Sequence, residues 1–513
     1  MHPSTHAQTN PDKPAYIMAA TGETVSYKEL DERSNQVAQL FRAGGLKPGD
    51  AIAIFMENNA RYFEICWAAQ RSGLYFTCIS SRLTAGEIEY IAADCGAKMF
   101  FTSKALEKTA RELITGNHLP GVARKFSIGG SVEGYEDFEP ARDAMPKTRI
   151  ADETAGMDML YSSGTTGRPK GIRIPLTGGA IDEVASLTML AQFLYSMDEN
   201  VRYLSPAPLY HAAPLRYCMT VNRLGGTVIV MEHFDPEEAL KAIEKHKITH
   251  SQWVPTMFVR MLKMPEDVRK KYDVSSLKVA IHAAAPCPIP VKEQMIEWWG
   301  PVINEYYGGT ETGAVVFCNS QEYLAHPGTV GKAIDGAKVM VIDENGNELS
   351  RGATGEVVCR TSTIPDFTYH GDDEKRRRAE KVGLISLGDI GYLDEDGFLY
   401  LCDRAKDMVI SGGVNIYPAE VEQTAMAHPA IRDCAIIGVP DEKWGEAVMA
   451  VVELREGVEF DADSFIAFCK ERVGSMKAPK SVVVHDNMPR SAVGKVLKRT
   501  LRDQYWEGRE RPI

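Results

Sequence analysis

Tyr161-Ser162-Ser163-Gly164-Thr165-Thr166-Gly167-Arg168-Pro169-Lys170-Gly171 is the stretch on which the reading of this chain turns. Its glycines let backbone N–H groups converge on an anion, and its hydroxyls, Arg168 and Lys170 add donors and positive charge. The apolar run Met157–Tyr161 ahead of it reads as a strand entering the loop. No Gly-Lys-Ser/Thr closes the stretch, so it is not a Walker A loop. A plain Gly/Ser/Thr linker has a similar composition. The order of the residues is the informative part.

Strand and helix alternate on the N-terminal side. A short strand is expected near Ala15–Met18, and Ser26 with Glu29 forms a capping box opening a helix whose Leu30, Val37, Leu40 and Phe41 share one face. Gly44-Gly45 ends it, Ala51–Met56 reads as a buried strand, and helix (Arg61–Arg71) and strand (Leu74–Cys78) repeat the pattern. Thr84 and Glu87 start a further helix ahead of a strand at Met99–Thr102. The alternation predicts an α/β fold with a largely parallel sheet. Residues 103–156 read as polar and irregular.

At 513 residues the chain exceeds one ordinary core, so at least two domains are expected. With 44% hydrophobic and 25% charged residues it is of ordinary globular composition, and a net charge of −12 argues against nucleic-acid binding. The ten cysteines lie scattered among apolar neighbours with no C-x-x-C pair, which predicts buried reduced thiols rather than zinc or disulfides. No signal peptide or membrane-spanning run is visible, so the cytoplasm is the expected compartment.

Further strings carry possible chemistry. Ser205-Pro-Ala-Pro-Leu-Tyr210-His211 sets a histidine after a Pro-containing turn; a lone His is usually a structural hydrogen-bonder. Trp253-Val-Pro leads into a helix, and Val279–Pro286 is an apolar strand ending in Ala283-Ala284-Ala285. In Asn304-Glu-Tyr-Tyr307-Gly308-Gly309-Thr310-Glu311, the glycines allow close approach of a ligand, and Thr310 and Glu311 supply oxygens for phosphate or Mg²⁺. Asp389, in Ser386-Leu-Gly-Asp-Ile-Gly, reads as an acid in a tight turn before a hairpin at Asp394–Gly397, and the preceding Gly371–Lys381 is unusually charged. Asp403-Arg404-Ala-Lys406 leads to Gly412-Gly413 and to a helix start at Pro418. After it come strands at Cys434–Val439, Val448–Leu454 and Ser481–His485, a helix at Ser464–Glu471, and Pro489-Arg-Ser-Ala-Val-Gly494-Lys495 before a basic terminal helix.

Taken in order, from about Pro11 to Arg502, these strings resemble the motifs of the adenylate-forming superfamily of acyl-CoA synthetases, adenylation domains and firefly-type luciferases. Within it the chain looks most like a bacterial fatty-acyl-CoA synthetase. The resemblance implies a large N-terminal domain of largely parallel sheets with helices (residues 1–403) and a small mobile α+β C-terminal domain (404–513), turning near Lys406. It implies that Ser162, Ser163, Gly164, Thr165, Thr166, Gly167 and Lys170 hold phosphate, with Ala284, Tyr307 and Gly308 at the adenine. Asp389 and Arg404 would hold ribose, and Gly412 and Gly413 would line the pantetheine path. Thr310 would contact phosphate, Glu311 would hold Mg²⁺, His211 would lie near the substrate carboxylate, and Lys495 would be the catalytic lysine. Two departures stand out: Ala283 where glycine is usual, and Leu387 where threonine is usual.

The implied reaction joins a carboxylic acid to ATP, giving acyl-AMP and pyrophosphate, and then to CoA, giving acyl-CoA and AMP. The acid pocket is assigned to Tyr210, Tyr217, Trp253, Ala283 and Gly309, where Gly309 leaves only backbone in the wall, and a fatty or bulky-ring acid is expected. The rival acceptor is a carrier-protein thiol, and an aryl-acid CoA ligase is the rival within the CoA class. Small-molecule acid, ATP and CoA are the expected partners, and a homodimer is compatible with the sequence.

Overall fold

Pro14–Met18, Thr227–Val230, Arg202–Ser205, His250–Trp253, Val279–His282 and Ile303–Gly309 run side by side as parallel strands. Antiparallel Thr24–Ser26 closes one edge of this sheet, and Gly313–Cys318 with Lys332–Ala333 closes the other. These coordinates are a computed structural model that describes residues 1–162, 169–362, 364–404, 407–411, 414–441, 444–490 and 496–507, with Ser162 and Arg404 described in backbone only.

A second sheet is wholly parallel, in the order Glu136–Asp137, Arg124–Ile128, Ala97–Ser103, Ala51–Phe55, Tyr75–Ile79, Met157–Asp158. Ala51–Phe55 and Tyr75–Ile79 are buried at every residue, as strands covered on both faces must be. The two sheets share one core. It takes Ile52, Phe76 and Phe101 from the second sheet, Tyr16, Tyr203 and Val228 from the first, and Val37, Trp67 and Leu215 from helices Tyr27–Ala43, Tyr62–Arg71 and Ala212–Leu224. The expected capping box is present: Ser26 Oγ accepts from the Glu29 N–H at 3.2 Å, and Glu29 Oε2 accepts from the Ser26 N–H at 2.9 Å.

Two expectations need correction. Residues 103–156 are not irregular: they contain helix Glu107–Thr115, strand Arg124–Ile128 and helix Phe138–Asp143. Each element has only one to three buried apolar anchors, such as Leu113, Phe126 and Phe138, too few to mark a period. The sheet edge supplies the rest, with Phe126 stacked on Phe101 at 5.2 Å. Nor does Asp389 sit in a tight turn. Gly388 does take left-handed backbone (φ +77°), but Asp389 lies within strand Leu384–Leu393, opposite Arg404.

That strand belongs to an antiparallel sheet of Ala337–Ile342, Gly355–Thr361, Glu380–Lys381 and Leu399–Arg404 beside it, and a small sheet of Leu160–Ser162, Lys170–Arg173 and Thr368–Tyr369 holds the two strands on either side of residues 163–169. The C-terminal unit packs Val409–Ser411, Val414–Ile416, Ile431–Asp441, Gly445–Leu454 and Ser481–Val484 into one sheet. Helices Pro418–Met426 and Ala462–Lys477 cover one face through Val421 and Phe465, and the short helix Lys498–Asp503 covers the other through Leu501. The ten cysteines are all free, eight of them buried. No described helix is long and apolar enough to cross a membrane.

Candidate active site

The carboxyl ends of Arg202–Ser205, His250–Trp253, Val279–His282 and Ile303–Gly309 open into a cleft of about 1820 Å³, which the C-terminal unit borders through Glu422, Val496, Leu497 and Lys498. Ligands of open α/β sheets bind at such strand ends. The loops that leave these strands bring together residues far apart in sequence: Tyr210, His211, Tyr217, Trp253, Ala283, Ala284, Tyr307, Gly308, Gly309, Thr310, Glu311 and Asp389 all line the one cleft.

At the nucleotide end, the Tyr307 hydroxyl donates to Asp389 Oδ2 at 2.8 Å, so the residue expected at adenine and the one expected at ribose are already joined. Ala284 is left-handed, φ +76°, a conformation that costs a non-glycine residue roughly 1–2 kcal/mol. The substituted glycine flagged by sequence was Ala283, but the strained backbone is one residue later. Under this turn lies a buried ion pair: Lys292 Nζ donates to Glu305 Oε2 at 2.6 Å, with both side chains nearly inaccessible and the ammonium 3.8 Å from the Tyr323 ring. Burial raises the Glu305 pKa, against the pull of Lys292. Glu305 reaches the cleft wall two residues before Tyr307.

Gly308 has no room for a side chain, because a Cβ there would lie 1.8 Å from the Gly313 carbonyl oxygen of the paired strand. At Gly309 a Cβ would meet Glu311 Oε2 and Leu387 Cδ2, each at 2.9 Å. Gly309 lines the cleft, and a side chain there would meet the ends of Leu387 and Glu311 rather than empty space. This also accounts for Leu387, whose bulk complements the missing side chain.

Around Glu311, the Tyr369 hydroxyl donates to Oε1 at 3.1 Å, and Lys375 Nζ sits 4.1 Å from the Tyr369 ring. Burial lowers the Lys375 pKa, and Glu311 and Lys170 are among the charges it feels. The ammonium makes no ion pair among the described residues, and Glu311 and Asp372 are the acids whose charge it feels. Lys170 itself pairs through its backbone with Ser162 at the loop's exit.

His211 is the N-cap residue of helix Ala212–Leu224, its ring 4.5 Å from that of Tyr210. Burial, helped by Arg82, lowers its pKa to about 4, so the imidazole is neutral at physiological pH. Among the described residues its buried Nε2 has no hydrogen-bond partner. Trp253 is fully buried against Phe258 and Trp299 at 6.1 and 5.3 Å, and Tyr217 lies parallel to Tyr203 at 6.4 Å. Both are core residues that also wall the cleft.

Ser163, Gly164, Thr165, Thr166, Gly167, Lys406, Gly412, Gly413 and Lys495, and the side chains of Ser162 and Arg404, lie outside the described residues. The flanks of Lys495 are in place: Arg490 pairs with Val496, and the Leu497 N–H donates to the Pro489 carbonyl at 2.8 Å. Sequence reading missed Glu305, Tyr369, Lys375, Asp158 and Arg216. Three of these had a signal: Asp158 is an acid inside an apolar run, Arg216 is the lone charge of an apolar segment, and Lys375 belongs to the charged stretch Gly371–Lys381. Tyr369 and Glu305 had none.

Comparison with known proteins agrees with this arrangement. Residues 4–364 match the AMP-binding enzyme family and residues 420–495 its C-terminal domain. FadD8, a medium/long-chain-fatty-acid–CoA ligase of Mycobacterium tuberculosis, is 31% identical over 98% of this chain and 89% of its own. A feruloyl-CoA synthase of Amycolatopsis is 32% identical over 94% of each chain. The o-succinylbenzoate CoA synthetase MenE of Bacillus subtilis, solved with its acyl-adenylate intermediate, superposes with a TM-score of 0.82 at 26% identity, over 98% of this chain and 97% of that one. The chain belongs to the AMP-binding enzyme family and is an adenylate-forming enzyme.

Proposed function

We infer that this enzyme is an ATP-dependent, AMP-forming acyl-CoA synthetase that first makes an acyl-adenylate and pyrophosphate and then transfers the acyl group to CoA. The observation that carries the reading is the single cleft in which a neutral His211, whose Nε2 has no partner among the described residues, the Thr310–Glu311 edge and the Tyr307–Asp389 pair converge, with the flanks of Lys495 on its rim.

A carboxylate attacking a phosphate must bring two anions together, so catalysis rests on placing positive charge and donors between them. Lys495 supplies the bridging cation. The loop from Ser162 to Lys170 binds the departing pyrophosphate, and the Lys375 ammonium adds charge at the same end. Neutral His211 donates a hydrogen bond to the substrate carboxylate. Tyr307 packs on adenine while Asp389 accepts from ribose. No group of three or more acids, histidines or cysteines that could hold a metal gathers among the described residues, so Glu311 would serve with at most one further acid. That suits Mg²⁺, which takes one or two carboxylates and completes its shell with phosphate and water. When bound there, Mg²⁺ would neutralise phosphate charge.

The domains are assigned as residues 1–403 and 404–513, turning at Lys406 so that Lys495 withdraws and Gly412-Gly413 meet the thiol. The acid is a hydrophobic one, in keeping with the cleft walls at Tyr210, Tyr217 and Trp253 and with relatives named for fatty and feruloyl substrates. The proposed compartment is the cytoplasm, in keeping with ATP and CoA as substrates and with ten free cysteines.

Lys495→Ala tests the reading. Carboxylate-dependent ATP–pyrophosphate exchange should fall at least about a hundredfold, while thioester formation from supplied acyl-adenylate persists. Equal loss of both half-reactions would refute the bridging role.

A further inference from the structure

Helix Ala212–Leu224 turns one face to the cleft, where Ala212, Arg216, Thr220 and Arg223 follow one another at about one helical turn. Two of the four are arginines, which is unexpected in a pocket for a plain hydrocarbon acid. Arg223 is committed to the protein itself. Its Nη1 donates to the carbonyls of Met1 and Ile181 at 2.8 and 3.3 Å, and its guanidinium lies 5.3 Å from the Trp67 ring.

Arg216 is held differently. Its Nε and Nη2 donate to Asp158 Oδ2 at 3.2 and 2.8 Å, and among the described residues nothing accepts from Nη1. Asp158, on Met157–Asp158, lines the cleft as well. The two side chains make a charge-neutral pair in the wall, and Tyr306 and Glu311 are the further ionisable groups whose charge acts on the guanidinium. A methylene chain laid over Nη1 would displace its water and return no hydrogen bond. A second carboxylate would find the guanidinium already neutralised by Asp158 and would be repelled by it. A neutral oxygen fits both partners, since it accepts from Nη1, and a hydroxyl also donates to an Asp158 oxygen.

Building on the acyl-CoA synthetase reading, we propose that Arg216 and Asp158 form a specificity subsite for a hydroxyl or carbonyl oxygen on the otherwise apolar acid. Arg216 is five residues beyond His211, an axial rise of about 7.5 Å, so the oxygen it would bind lies deeper along the acid than the carboxylate at His211.

The test is competitive thioester formation by the full-length enzyme with ATP, Mg²⁺ and CoA, read by mass spectrometry. The acids are a medium-chain fatty acid and its hydroxy and keto derivatives at successive carbons, and an arylpropenoic acid with and without a phenolic hydroxyl. In at least one matched pair the oxygenated acid should have a kcat/KM tenfold or more above its parent. Arg216→Met should collapse that ratio and Arg216→Lys should restore part of it. Because Arg216→Met leaves Asp158 unpaired, the double variant Asp158→Leu/Arg216→Met is run beside it and should show the same collapse. No preference in the wild type, a preference that survives in the double variant, or an equal loss for parent and oxygenated acids would each overturn the subsite. A wild type that forms no thioester from any acid would instead refute the synthetase reading, and the subsite with it.

Discussion

Replacing His211 by asparagine should make the protein less sensitive to acid. The wild-type imidazole is neutral and buried, with a pKa lowered from 6.5 to about 4 by burial and then by Arg82. Since the folded value lies below the unfolded one, the unfolded chain binds more protons once the pH drops beneath about 6.5. Stability tied to this ring is thus full above that pH and is lost as the pH falls toward 4. At 1.36 kcal/mol per pKa unit the whole loss is at most about 3 kcal/mol. About 2 kcal/mol of it falls between pH 7 and pH 5, less what solvent at the ring's cleft-facing edge screens. Asparagine does not titrate there. Urea unfolding of both proteins, followed by tryptophan fluorescence near pH 7 and pH 5, gives four free energies. The wild type should lose roughly 1–2 kcal/mol more than the variant on acidification. Losses equal within about 0.3 kcal/mol, the usual scatter of such differences, would mean that His211 titrates as an open histidine. Its role as a neutral donor to the carboxylate would then fail.

Gly308→Ala should destabilise the fold by about 2–3 kcal/mol or more, because its Cβ meets backbone of the Gly313–Cys318 strand rather than a yielding side chain; a wild-type melting curve would count against the packing described. Lys292→Met should cost about 3–5 kcal/mol near neutral pH by stranding Glu305 in the interior. An acid whose folded pKa is raised loses stability as pH rises, so the deficit should be larger at pH 8 than at pH 5, and a deficit independent of pH would exclude Glu305 as its source. Lys375→Met should raise the KM for ATP several-fold and leave the KM for the acid nearly unchanged, since its ammonium, without an ion pair among the described residues, sits over Tyr369 and feels the charges of Glu311 and Lys170, residues proposed for Mg²⁺ and phosphate; the reverse pattern would place it at the acid.

The sequence by itself determined the elements with strong local signals. The Ser26–Glu29 capping box, the fully buried Ala51–Phe55 strand and Pro418 at a helix start need only a few adjacent residues, and each appears where expected. The order of the loop motifs likewise fixed the family, because glycines, hydroxyls and acids at set spacings constrain the backbone locally. Tertiary structure decided the rest. Helix Glu107–Thr115 and strand Arg124–Ile128 are held by a sheet edge that no local pattern reveals. Asp389 became a strand residue only by pairing with Arg404. The space at Gly309 belongs to Leu387 and Glu311, one of them 78 positions away, and the Asp158–Arg216 pair joins residues 58 apart. Local chemistry tells which residues can bind an anion or end a helix, but which side chain fills a void or neutralises a charge depends on what the folded chain brings within a few ångströms of it.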